Sequence, residues 1–181
     1  GISILGDAAF FRIYVKYQDL LTATPIRPIS YVMGLSLSML IFASPGLALF
    51  TILASLTGLM TPMFTLALII CATAVWISSS LMGFMLSTLF NSLRHVWPIA
   101  SILSLILSLL PPIYYPATVL PQGYQWIGAI ALTGAAAMIL HQVAGLVKIE
   151  PSALMASVVS LIAYVVTLTL LLAFKVKWRE T

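Results

Sequence analysis

The chain has 181 residues, of which 62% are hydrophobic and only 7% charged, with a net charge of +4 at pH 7. One soluble core cannot hide that much apolar surface, so a soluble globular domain is excluded and the bilayer becomes the solvent to reason in. The positive balance does not point to nucleic acid, because the basic residues sit at the ends of apolar stretches, where lipid head groups lie.

In chain order, residues 1–11 (GISILGDAAFF) read as the end of a hydrophobic segment whose start precedes them. Arg12 to Arg27 then mixes Arg12, Lys16 and Asp19 with Ile13, Tyr17, Leu20 and Leu21. At 3.6 residues per turn those apolar side chains share one face and the charges gather to one side of it, which predicts a short amphipathic helix on a membrane surface. Pro25 and Pro28 end it, giving a surface element over 12–28, and its basic residues place it on the cytoplasmic side.

Full crossings need roughly 20 apolar residues, and 31–57 and 62–89 supply the first two. Pro45-Gly46 kinks the first. The uncharged turn at 58–61 suits the outside, and Arg94 assigns the next loop to the inside. A third membrane element starts at Trp97-Pro98 and breaks at Pro111-Pro112, its membrane-associated stretch extending over 97–120. The last crossing, 151–174, leads into Lys175, Lys177 and Arg179, a cytoplasmic marker.

Four prolines between Pro111 and Pro121 remove four amide donors. Backbone of that kind has to be packed on protein, line a wet cavity or lie at the interface. Parity then constrains 121–147: if the third element crosses outward and the last inward, this segment starts and finishes outside. It is read as a re-entrant pair of short helices bending near Gly134 or the Gly123 loop, with Gly128, Ala129 and 134–137 small enough for close packing. A straight extra crossing is the alternative, and it puts the larger basic cluster outside.

Two stretches resemble the permease subunit of type-two ATP-binding-cassette (ABC) exporters. Leu20 to Gly34, LLTATPIRPISYVMG, is similar to the family's cytoplasmic stretch L-x-x-T-P-[IV]-x-P-x-x-Y-x-x-G. Pro111 to Ile127, PPIYYPATVLPQGYQWI, is similar to its P-x-x-Y-P-x-x-x-L-P stretch at the outer end of the fifth membrane helix. The resemblance covers nearly the whole chain from Arg12 onward, while the family's first helix and most of its second have no counterpart here.

The resemblance implies an all-α helical bundle with a cytoplasmic coupling helix and an outer re-entrant hairpin. It also implies export from the cytoplasm across the plasma membrane by two copies, or by this chain and a close paralogue, driven by separate ABC ATPase subunits that hold the ATP and Mg. The chain itself has no phosphate-binding loop and no nucleophile-base pair, so it is not expected to be an enzyme. A secondary transporter with a broken-helix site, or a non-transporting assembly subunit, is the alternative.

Lys16, Tyr17, Asp19, Leu20, Leu21, Thr24 and Pro25 are the expected ATPase contacts. Tyr114, Tyr115 and Pro116 either form an interfacial aromatic belt or cap the exit of a path. Ser101, Ser104 and Ser108 share a helix face and form a packing or cavity-lining stripe, and His141 is an intramembrane ionisable group that lines the path or bonds a backbone carbonyl. Two distant histidines, one cysteine (Cys71) and four acids offer no metal-ligand cluster, and no cofactor is expected in the chain.

Overall fold

A computed structural model describes residues 4–13, 28–90, 93–109, 111–121 and 123–175. Among them the regular structure is entirely helical: α1 (Ile4–Ile13), α2 (Pro28–Leu56), α3 (Pro62–Ser87), α4 (Leu93–Leu109), α5 (Leu132–Val143) and α6 (Pro151–Lys175), with 3-10 turns at Ala117–Val119 and Gln125–Ala129. Three of these, over Ser30–Leu56, Pro62–Ser87 and Pro151–Leu172, are long and apolar enough to cross a membrane.

The packing clusters assign helix ends to levels. Val32 at the start of α2, Leu81 and Phe84 at the end of α3, and Leu172 at the end of α6 pack together with Ala8 of α1. The rings of Tyr31 and Phe84 meet edge-on at 6.1 Å in the same layer. The start of α4 joins this face, since Val96 and Ala100 pack with Ala9 against Leu86 and Phe90. This is the proximal face. At the opposite, distal end Ile149 and Ala153 at the start of α6 pack with Ala117, Ala129 and Met138. Cys71, Leu132, Ala135, Ala136 and Leu161 fill the level between.

Helix α2 follows the membrane logic most plainly. Residues 41–50 are all exposed, as suits a helix that meets hydrocarbon around its circumference. Pro45 removes the amide that would pair with the Ile41 carbonyl, and the Ser44 hydroxyl donates to that carbonyl at 2.7 Å instead. One long-range tie holds α2 to α3, from Trp76 Nε1 to the Ser36 carbonyl at 3.3 Å. Helix α3 starts under Pro62 at its first position, with the Thr61 hydroxyl accepting from the Phe64 amide at 3.2 Å.

The broken third element differs from the expected 97–120 span. It is helical from Leu93, so Pro98 sits inside the helix rather than at its start, and it stops at Leu109. At 17 residues it is about 25 Å long, and Pro111 and Pro112 then deny the amides that its last carbonyls would use. Beyond them the chain turns through Ala117–Val119 and a positive-φ Gly123 into Gln125–Ala129. The bend of the following segment falls at Ile130–Ala131, where Ala131 is extended, and not at Gly134 or Gly123.

From that bend α5 runs for 12 residues, about 18 Å, which is too short to cross hydrocarbon of about 30 Å. It packs on α3 and α6. The Gln125–Ala129 turn lies against it so closely that Gly134 has no room for a side chain: a Cβ there would collide with the Gly128 carbonyl oxygen and come within 2.8 Å of Pro111. A Cβ on Gly128 would lie 2.8 Å from Pro112 and 3.1 Å from the Met138 sulfur.

Gly134→Ala is therefore expected to destabilise the protein by about 1–3 kcal/mol, the usual range for overpacking. Gly46→Ala meets nothing within 4 Å in mid-helix and is expected to stabilise by up to about 1 kcal/mol. Thermal unfolding in detergent distinguishes the two, and equal effects would contradict the close approach.

Candidate functional site

The broken stretch between α4 and α6 is where backbone polar groups lie deepest without a helical ladder. The Leu107 carbonyl would pair with the amide of residue 111, which proline lacks. The Thr133 hydroxyl, from the first turn of α5, donates to it at 2.7 Å. At the bend the Ile130 carbonyl lies outside α5, and the Tyr164 hydroxyl donates to it at 2.7 Å. Tyr164 is 13 residues into α6, about 20 Å from its start. The bend thus reaches the middle of the bundle.

Both ends of the segment return to the distal face. Gln125 Oε1 accepts from the Glu150 amide at 3.2 Å, and Gln142 Oε1 accepts from the Ile149 amide at 2.8 Å. The Gly123 amide donates to Glu150 Oε2 at 3.4 Å. Residues 123 and 150 are therefore neighbours although 27 positions separate them. Two glutamine carboxamides thus satisfy the consecutive amides of Ile149 and Glu150 just ahead of α6.

Ser101, Ser104 and Ser108 do share a face. With Trp97, Ala100 and Leu105 they line an open groove of about 320 Å³ along α4. Trp97 lies over Gly6 of α1, where a Cβ would sit 2.9 Å from its ring. Ser108 returns its hydroxyl to the Leu105 carbonyl at 3.1 Å. Among the described residues Ser101 and Ser104 make no such bond, whereas Ser36, Ser38 and Thr51 of α2 do. Helix α4 thus offers two free hydroxyls to whatever faces it.

Tyr114 and Pro116 are exposed and Tyr115 is half-buried on the loop beyond Pro112, away from the serine groove. His141 lies in the last turn of α5, half-buried, its Nδ1 buried and without a hydrogen-bond partner among the described residues. The structure does not gather the serines, the tyrosines and His141 around one groove. Lys16, Tyr17, Asp19, Leu20, Leu21, Thr24 and Pro25 lie outside the described residues, as does the basic tail after residue 175. No group of histidine, cysteine and acidic side chains among the described residues is placed to hold a metal.

Sequence reasoning passed over Thr133, Tyr164, Gln125 and Gln142, the residues that hold the broken stretch in place. A signal for Thr133 does exist, because a carbonyl four residues before Pro111 must find another donor. Which donor it finds is a tertiary matter. No protein-family model, curated protein or solved structure matches the chain.

Thr133→Val removes the donor to the Leu107 carbonyl in apolar surroundings and is expected to cost about 0.6–2 kcal/mol, with Thr133→Ser costing less than half as much. Unfolding of the reconstituted variants by denaturing detergent measures both. A serine variant as unstable as the valine one would show that the hydroxyl is not what counts.

Proposed function

We propose that the chain is the membrane-spanning permease subunit of an ATP-driven ABC exporter of the second type, working with separate nucleotide-binding subunits. The fold-back between Gly123 and Glu150 carries this reading. With α6 crossing the bilayer, a segment whose ends meet at Glu150 and whose bend reaches Tyr164 is a re-entrant hairpin. It is the element that the P-x-x-Y-P-x-x-x-L-P resemblance calls for at that point in the chain.

The level of the helix ends supports the same orientation. Helices α3 and α6 end, and α2 begins, on the proximal face, so the basic residues before α2 and after α6 belong to one side. The positive-inside rule makes that side the cytoplasm of a plasma-membrane protein, and the distal face the exterior. The segment with Lys16, Tyr17, Asp19, Leu20, Leu21, Thr24 and Pro25 is then the coupling helix that seats on the ATPase. Leu20 and Leu21 anchor the contact, and Lys16 and Asp19 pair across it.

Transport in this reading needs two walls. The serine groove of α4 supplies one, its unpaired hydroxyls being poorly suited to lipid and well suited to a wet path or a polar partner face. A second copy, or a close paralogue, supplies the other. ATP and Mg, held by the ATPase subunits, bring those subunits together; the coupling helices transmit the movement, the halves switch access, and the hairpins close the exterior side. Tyr114, Tyr115 and Pro116 are assigned in this reading to the exit of the path.

The test is association. The chain is expected to co-purify with an ABC ATPase subunit expressed alongside it, and Leu20→Asp combined with Leu21→Asp to abolish the association while the chain still reaches the membrane. ATPase binding that survives both substitutions would contradict the coupling assignment.

A further inference from the structure

We propose that the depression at the distal start of α6 binds a zwitterionic phosphoethanolamine group, such as the head group of a phosphatidylethanolamine. The depression has a volume of about 400 Å³ and is lined by Gln125, Lys148, Ile149 and Glu150. It lies immediately before the apolar span Pro151–Leu172, at the depth where head groups meet the end of a crossing helix.

Its charges are arranged for a ligand of both signs. Lys148 and Glu150 are exposed, line the same depression and, among the described residues, form no ion pair with each other. The depression lies just ahead of the N-terminal end of a 25-residue helix, whose positive end favours an anionic group nearby. The second, independent feature is Gln125, only 6% exposed. Its Oε1 is held by the Glu150 amide, which leaves its Nε2 with no acceptor among the described residues and a place in the wall.

That Nε2 is open to solvent at the depression, where a ligand with an acceptor can bond it. A phosphate oxygen does so, and draws on Lys148 at once. The ammonium two bonds of ethanolamine away then meets the Glu150 carboxylate, whose Oε2 accepts only weakly, at 3.4 Å, from the Gly123 amide. A purely anionic head group such as phosphatidylglycerol satisfies the first half and lacks the second.

The full chain, reconstituted in nanodiscs of equimolar phosphatidylethanolamine and phosphatidylglycerol, tests this by mass spectrometry of the lipid retained after partial delipidation. Wild type is expected to retain phosphatidylethanolamine over phosphatidylglycerol by about fivefold. Glu150→Gln keeps the side-chain acceptor for Gly123 and is expected to bring the ratio to about one. Lys148→Gln changes an exposed residue and is expected to lower phosphatidylethanolamine retention by a similar factor. Displacement by free phosphoethanolamine would identify a soluble zwitterion as a second source of the same chemistry; selectivity without displacement assigns the site to the lipid. No preference in wild type, or a preference that survives both substitutions, overturns the proposal.

Discussion

Hydrocarbon offers no hydrogen bonds, so every carbonyl that a proline or a bend frees inside the membrane needs a donor from the protein. That constraint organises the structure around three hydroxyls. Ser44 serves the Ile41 carbonyl freed by Pro45, Thr133 serves the Leu107 carbonyl freed by Pro111, and Tyr164 serves the Ile130 carbonyl freed by the bend. The first is local and keeps a long helix continuous. The other two are long-range, and they join α4, the returning segment and α6 into one unit.

Close packing makes those bonds possible. Gly128 and Gly134 bring the Gln125–Ala129 turn against α5, and Pro111 and Pro112 lie on the same two glycines. The proline break and the fold-back are thus two sides of one contact. At the distal end Gln125 and Gln142 secure the segment to the start of α6. The result is a short helix wedged between α3 and α6.

Much of the framework was legible in the residues. Apolar run length located α2, α3 and α6 to within a few positions, because in lipid a crossing helix answers mainly to thickness. Proline positions located the break. The bend was not legible: Gly134 looked like a hinge and serves instead as a contact surface, since a glycine's missing side chain matters equally to turning and to packing. The serine stripe followed from helical spacing, but its separation from Tyr114 and His141 depends on where α4 stops. The glutamine clamps had no signal at all, for a glutamine beside an apolar helix reads as an ordinary interfacial residue until its partner amide is in view.

The central claim is that the chain enters the bundle after Tyr124 and leaves it before Glu150 on the same side. Single cysteines at positions 124 and 148, in a chain with Cys71 replaced by alanine, test it through a thiol reagent that does not cross membranes. The account predicts that both are labelled from one side of sealed, uniformly oriented vesicles, with a cysteine at position 181 labelled only from the other. Labelling of positions 124 and 148 from opposite sides would mean that the segment crosses, and would contradict it.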